Sequence, residues 1–220
     1  MAQSKSLRNR TRTEPPSLAE ESKLLEMGYR HIAGIDEVGR GALAGPVVAA
    51  AVILPLDVDF PWFKLVRDSK EVPPARRNQL YILIQEAAIA AAVGIIEPQI
   101  IDSIGILKAT KLAMCQAIEQ LACSPDFLLI DALTLPQLRT GQKGIIRGDK
   151  LCLSIACASI FAKVTRDRIM EELDSVHHGY GLAKHKGYAT RQHCACLQQL
   201  GPSSIHRHSF APVRETCRLI

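Results

Sequence analysis

Aromatic side chains are scarce in this chain of 220 residues: they make up 5% of it and include one tryptophan, Trp62. A zinc or redox site with CxxC spacing is excluded, because no two of the seven cysteines have that spacing, and their odd number does not indicate a disulfide framework. The N-terminus has no apolar h-region, which argues against a secretory signal, and no apolar run reaches the roughly 18 residues of a transmembrane helix. These absences predict a protein of a reducing, cytoplasmic compartment without membrane contact.

Hydrophobic residues supply 47% of the chain, which is enough to bury the core of one compact domain. The formal net charge of +5 permits contact with phosphate groups, but many soluble proteins share this balance. Lys5, Arg8, Arg10 and Arg12 lie in the first thirteen residues, which contain no acid. We interpret residues 1–16 as a disordered basic tail, with a targeting peptide as the alternative, and we expect a monomer.

Apolar periodicity predicts an α/β fold. Runs of strand length occur at 32–35, 46–54, 89–96, 127–130 and 144–146. Helices are predicted at 73–87, 106–121, 154–173 and 190–200, and the capping-box spacing of Ser17 and Glu20 predicts an N-terminal helix within 17–30. The order of these elements favours a mixed five-stranded sheet flanked by helices, with a small C-terminal helical region.

Acidic residues follow several of the predicted strands. Asp36 and Glu37 come directly after the first, Asp131 ends the fourth, and Asp149 lies shortly after the fifth. Four carboxylates that converge at strand ends repel one another unless cations lie between them, and a site of oxygen ligands suits Mg²⁺ or Mn²⁺. Two such ions clamp a phosphodiester for in-line displacement. The alternative is that these acids belong to turns or helix caps, where Asp is common.

The residues after Glu37 form a glycine-rich turn, in which the backbone can approach a ligand closely. The string Gly34–Gly41 closely resembles the signature of type 2 ribonuclease H, also called ribonuclease HII. Further matching motifs follow in order: Arg67–Lys70, Pro125–Asp131, Gly148–Lys150, Ser154–Ile160, Ala162–Asp167, Lys184–Tyr188 and His206–Phe210. The resemblance covers residues 30 to 215. It departs from the family pattern at Gly105, Ala132 and Cys157, and none of these departures removes a carboxylate.

The resemblance implies a ribonuclease H-like catalytic domain over residues 31–220, of which about 165–220 form a helical part. It implies that Asp36, Glu37, Asp131 and Asp149 are catalytic and bind two Mn²⁺ or Mg²⁺ ions. The substrate would be an RNA–DNA hybrid or duplex DNA with single ribonucleotides, and a replication clamp is a further expected partner. Substrate contacts are implied for Gly39, Arg40, Gly41, Ser69, Lys70 and Tyr188. Phosphate contacts are expected for Lys184 and Lys186, with a solvated charged loop as the alternative.

Two other functions use the same residues. A DNA exonuclease or junction resolvase of the same fold would share the acids but would need no turn that reads a 2′-hydroxyl group. A non-catalytic binding protein would not retain four acids, because carboxylates repel phosphate unless metals occupy them.

Outside the acids, Lys163 and Asp167 have i, i+4 spacing and are predicted to form a surface ion pair. His206 and Arg207 are expected to dock the C-terminal segment or to contact substrate.

Overall fold

One mixed sheet of five strands forms the centre of the protein, and the computed structural model describes residues 15–217. The strands are β1 (Ile32–Val38), β2 (Val47–Ile53), β3 (Ala90–Ile96), β4 (Phe127–Asp131) and β5 (Gly141–Ile145), in the order β3-β2-β1-β4-β5. The first three pair antiparallel, whereas β4 and β5 are parallel to β1. The prediction of a mixed five-stranded sheet is therefore confirmed.

Helices cover both faces of this sheet. They are α1 (Ala19–Glu26), α2 (Pro74–Ala87), α3 (Pro98–Ile104), α4 (Ile106–Glu119), α5 (Gly148–Leu151), α6 (Leu153–Val176), α7 (Leu182–His185), α8 (Arg191–Leu200) and α9 (Ala211–Cys217), with a 3-10 helix over Pro61–Leu65. Strand β2 is buried throughout, and its alternate residues face two cores, one shared with α2 and α6 and the other with α4. No helix in the range 15–217 is long and apolar enough to cross a membrane.

A glycine in β1 lets α6 lie against the sheet. A Cβ atom added at Gly34 would lie 2.2 Å from the backbone carbon of Ser154, near the start of α6. Any side chain there would force helix and strand apart. Because α6 carries Ser159, Lys163 and Arg166, this close packing determines where those side chains meet the strand that carries Asp36 and Glu37.

The N-terminal helix also supports α6. Glu21 is fully buried, and one of its carboxylate oxygens accepts the Ser154 N–H at 2.8 Å, so α1 caps the first turn of α6 from outside the helix. The backbone of Ser17 bonds to Leu151 and Leu153 on either side of Cys152. The predicted capping box is wrong: Leu18 is the N-cap without a side-chain hydrogen bond, because Glu20 pairs instead with Lys23 and Lys143.

Several element bounds differ from the sequence predictions. Strand β1 extends through Val38, so that Asp36 and Glu37 lie within the strand, paired with Ala50 and Ala49, and not beyond its end. Strand β5 begins three residues before the predicted 144–146; the residues added, 141–143, are polar or glycine, and the strand is formed by edge pairing with β4. Helices α3, α5, α7 and α9 were not predicted, because each has at most seven residues and little apolar periodicity. Residues 1–14 of the predicted tail lie outside the described residues.

Candidate active site

The four predicted acids line one pocket with a volume of about 410 Å³. Asp36 and Glu37 come from β1, Asp131 from the end of the adjacent parallel strand β4, and Asp149 from the one-turn helix α5. The Gly148 N–H donates to Asp131 Oδ1 at 2.7 Å, which ties α5 to β4. The other pocket residues are Val38, Ser69, Lys70, Ser159, Lys163 and Tyr188. Sequence positions more than a hundred residues apart are thus brought into one cavity.

Burial and the charges of neighbouring acids disfavour the charged forms of Asp36, Glu37 and Asp149. Asp36 is 6% exposed; burial, followed by the charge of Glu37, raises its pKa well above the ordinary value. Burial also raises the pKa of Glu37, although its ion pair with Arg40 opposes the rise. The pKa of Asp149 is raised by burial and then by the charges of Asp68 and Asp131. Such a cluster has a strong electrostatic preference for a bound cation.

The donor set fits a hard divalent cation. Every acidic ligand candidate offers oxygen, and Glu37 Oε2 is buried without a hydrogen-bond partner. Within residues 15–217, no group of three or more acid, His or Cys side chains is arranged to hold a metal ion as the side chains stand. Three of the carboxylates have protein partners instead, since Glu37 accepts from Arg40 at 2.9 Å, Asp131 accepts from the Gly148 N–H, and Asp36 accepts from the Glu37 N–H. Rotation of these side chains would free their oxygens for a metal.

The segment 68–71 forms a turn on one wall of the pocket. Asp68 Oδ1 accepts the Lys70 N–H at 3.0 Å, and the Arg77 guanidinium donates to the Ser69 carbonyl at 2.7 Å. Ser159 on α6 donates its hydroxyl hydrogen to Ser69 Oγ at 2.9 Å. These bonds hold Ser69 and Lys70 at the pocket beside the acids, as a phosphate contact requires.

Lys163 also faces this pocket, which the sequence did not predict. Its ammonium group lies 2.6 Å from Asp167 Oδ1, so the predicted ion pair is present. The two side chains are only 15% and 16% exposed, so the prediction that the pair lies on the surface is wrong. Burial lowers the pKa of Lys163, and Asp167 opposes that change. Lys163 faces the pocket because α6 packs closely against the sheet, which turns this face of the helix toward the acids.

The glycine-rich turn and the Tyr188 segment are joined side by side. Gly39 has a φ of +90°, and Ala42 forms a backbone bridge with Tyr188. The Leu43 N–H donates to the Gly187 carbonyl at 2.8 Å. Tyr188 lines the acid pocket with its ring near the Arg166 guanidinium, at 5.5 Å from the ring centroid. The turn, the aromatic ring and the carboxylates therefore belong to one continuous surface.

The two lysines beside Tyr188 do not line the acid pocket. Lys184 is exposed on α7, and Lys186 pairs with Glu171 at 2.7 Å. Their contact with phosphate stays a prediction.

Two departures from the family pattern have backbone consequences: Ala132 has a φ of +51° and Gly105 one of +81°. A left-handed conformation costs a non-glycine residue about 1 kcal/mol, so Ala132 carries strain directly after a site acid.

Three buried histidines support the Tyr188 segment, and sequence reasoning did not find this cluster. His206 Nδ1 accepts the Ser203 N–H at 3.0 Å, so His206 carries its proton on Nε2 and donates it to His193 Nε2 at 3.1 Å. His193 must then donate from Nδ1 to the Tyr188 carbonyl, at 3.0 Å. The His185 ring stacks on that of His193 at 4.4 Å. This chain of bonds requires neutral imidazoles.

The histidine cluster predicts acid sensitivity of the folded state. Burial, with the neighbouring His193, lowers the pKa of His206 to about 4 from its ordinary value of 6.5. Between these values the unfolded chain binds a proton at this position and the folded chain does not, so stability is lost as the pH falls from 6.5 to about 4. We expect a loss on the order of 3 kcal/mol in the free energy of unfolding, at ~1.4 kcal/mol per pKa unit.

Urea unfolding between pH 4 and pH 8 measures this loss. His206→Asn, which has no titratable group, should show a shallower fall than the unsubstituted protein. His178→Asn, at an exposed position, should keep the full fall. Parallel curves for His206→Asn and the unsubstituted protein would contradict the assignment.

A central mixed sheet with carboxylates on adjacent strands, flanked by a turn for close backbone approach, defines a metal-dependent hydrolase of the ribonuclease H kind. The family model described as Ribonuclease HII matches residues 33–213. The chain belongs to the ribonuclease HII family.

Individual relatives agree with this assignment, and solved structures share the fold. The chain is 55% identical to the ribonuclease HII of Dehalococcoides mccartyi over 90% of this chain and 94% of the relative. It is 50% identical to that of Listeria monocytogenes over 89% and 74%. Among solved structures, ribonuclease H2 of Pyrococcus horikoshii has a TM-score of 0.72 at 22% identity, covering 86% of this chain and 97% of the other. The structure of the PCNA:RNase HII complex from Archaeoglobus fulgidus has a TM-score of 0.66 at 25% identity, covering 83% and 96%.

Proposed function

We propose that this enzyme cuts duplex DNA on the 5′ side of a single embedded ribonucleotide, in addition to the RNA strand of RNA–DNA hybrids, on which the ribonuclease HII family acts. The observation that carries the proposal is the junction of three parts in one surface: the acid pocket, the glycine-rich turn and Tyr188. An enzyme that acts on DNA alone would need only the acid pocket, because the 2′-hydroxyl group is the local difference between ribose and deoxyribose.

The acids would hold the metals of this reaction. Asp36, Glu37, Asp131 and Asp149 would bind two divalent ions, Mg²⁺ or Mn²⁺, in keeping with their oxygen-only donor set. Such ions, when bound, activate the attacking water and neutralise charge on the phosphodiester. Hydrolysis adds the elements of water across the P–O3′ bond, and its products are a 5′-phosphate on the ribonucleotide and a 3′-hydroxyl on the preceding nucleotide.

The other residues would bind and select the substrate. Ser69 and Lys70, fixed on the wall of the pocket by Arg77, would hold a phosphate next to the scissile one. The N–H groups of the turn Gly39–Gly41 would meet the 2′-hydroxyl. The Tyr188 ring would pack beneath the adjoining sugar, where an apolar surface disfavours a polar substituent.

A duplex of DNA with one ribonucleotide, labelled at the 5′ end of the ribonucleotide-containing strand, tests the proposal with Mg²⁺ or Mn²⁺ present. We expect one product that ends directly before the ribonucleotide, and no product from the same duplex made of DNA alone. Equal cutting of the all-DNA duplex would favour a resolvase-like nuclease. Binding without cutting under either metal would favour a non-catalytic hybrid-binding protein.

Three expectations from the sequence accompany this proposal without being part of its test. A replication clamp is a proposed partner, and the PCNA:RNase HII complex of Archaeoglobus fulgidus supports it by analogy. A monomeric state and a cytoplasmic location stay predictions.

A further inference from the structure

We propose that Arg207 is a positioning residue for ribonucleotide recognition: its side chain orients the Arg40–Gly41 peptide so that the Gly41 N–H faces the ribose 2′-oxygen. The inference rests on the proposed function of the turn Gly39–Gly41. It goes further, because it assigns the selectivity of that turn to a side chain more than 160 residues away in the sequence.

Arg207 is fully buried and directs its guanidinium at the carbonyl groups of one turn. Its NH1 donates to the Arg40 carbonyl at 2.9 Å, and Nε and NH2 both donate to the Gly45 carbonyl, at 3.0 and 2.8 Å. Within the range 15–217 it forms no ion pair with a carboxylate. A buried cation is costly without compensation, so these three bonds must be kept for the group to remain there.

The bond to Arg40 fixes a peptide plane. In a trans peptide the carbonyl and the following N–H point in opposite directions. Because the Arg40 carbonyl points inward at Arg207, the Gly41 N–H points away from the protein. Gly41 is exposed, and no protein acceptor for its N–H exists among residues 15–217. The turn therefore presents a free donor of fixed direction, which suits a hydroxyl oxygen of a ligand.

Docking of the C-terminal segment does not by itself explain these contacts. The backbone already joins the segment to the turn, through Arg207 N–H to the Leu43 carbonyl at 2.8 Å and Gly45 N–H to the Ile205 carbonyl at 2.9 Å. The side chain adds the bond to Arg40, at the tip of the turn, where no other side chain of the described residues donates to that carbonyl. Its planar fork reaches Arg40 and Gly45 together, which the single ammonium of lysine cannot reproduce.

The test compares cleavage of two DNA duplexes that differ at one sugar, a ribonucleotide or its 2′-fluoro analogue, in single-turnover assays. The fluorine is a poor acceptor, so the ratio of the two rates reports the donor from the turn. We expect Arg207→Lys to lower this ratio by about tenfold, the effect of losing one well-aligned hydrogen bond. Phe210→Leu is the matched control, because Phe210 packs 5.2 Å from the same guanidinium but accepts none of its bonds.

Phe210→Leu should lower the melting temperature and leave the ratio unchanged. The inference is overturned if Arg207→Lys is folded, less stable and equally selective, since a purely structural role predicts that result. If the unsubstituted enzyme shows no preference for the ribonucleotide, the proposed function itself fails, and the two failures are thus distinct.

A second measurement needs no variant. In the ¹⁵N-glycine-labelled protein with Ca²⁺ in place of the catalytic metal, the Gly41 amide resonance should shift with the ribonucleotide duplex and shift less with the all-DNA duplex. Equal shifts would overturn the inference even if Arg207→Lys does not fold.

Discussion

Asn in place of Asp36 should abolish cleavage, by about a thousandfold or more, and leave a folded protein that still binds its duplex. A metal ligand in a two-ion site supplies several kcal/mol of transition-state stabilisation, and each ~1.4 kcal/mol is a factor of ten in rate. The Asn side chain has the same shape and its carbonyl oxygen can still accept the Glu37 N–H, which bonds Asp36 Oδ1 at 2.7 Å. Local packing is therefore expected to survive the change.

The same substitution should not destabilise the protein. The raised pKa of Asp36 shows that burial and the charge of Glu37 oppose its ionised form, and Asn removes that repulsion. We expect an equal or higher melting temperature together with the lost activity. Asp57→Asn removes an exposed acid that does not line the pocket, and it should change neither quantity.

Single-turnover cleavage, duplex binding and thermal unfolding, measured on both variants, separate these effects. If Asp36→Asn keeps more than about a tenth of the normal rate, a role as metal ligand is contradicted. The carboxylate would then lower the activation free energy by less than ~1.4 kcal/mol. A large drop in melting temperature would instead show that Asp36 acts in folding.

Asp36, Glu37 and Asp131 could be predicted from the sequence because they lie in apolar strands, and Asp149 because it follows the short run 144–146. Their convergence depends on the pairing of β1 with β4, which are separated by nearly ninety residues, and on the left-handed Arg147, φ +58°, that leads into α5. Neither feature leaves a local pattern. A non-glycine residue adopts such a backbone only where the surrounding structure imposes it.

Lys163 and Arg207 show what local patterns cannot predict. The i, i+4 spacing correctly predicted the pair of Lys163 with Asp167, but the side of α6 that faces the sheet depends on its contact with Gly34. Arg207 was predicted to dock the C-terminal segment or to contact substrate. Its bond to the Arg40 carbonyl indicates a third role, which requires the chain to fold back on itself across the whole domain.

The two glycines of the turn Gly39–Gly41 should respond differently to alanine. At Gly39, φ is +90° and an added Cβ would lie 2.2 Å from Arg166 Nε. Arg166 cannot move aside easily, because its guanidinium donates to the carbonyls of Pro46, Lys186 and Ala44. We expect Gly39→Ala to lower the free energy of unfolding by about 2–4 kcal/mol, from backbone strain and overpacking together.

Gly41→Ala is the matched comparison, since nothing lies within 4 Å of a Cβ added there and its φ is not positive. Its stability should stay within about 0.5 kcal/mol of that of the unsubstituted protein, as for other surface changes. The new methyl group nevertheless stands on the exposed face where the backbone would meet the ribose. We therefore expect Gly39→Ala to lose both stability and activity, and Gly41→Ala to lose ribonucleotide-directed cleavage alone. Urea unfolding and cleavage of the single-ribonucleotide duplex measure the two effects, and full activity in Gly41→Ala would show that substrate does not approach the turn at this residue.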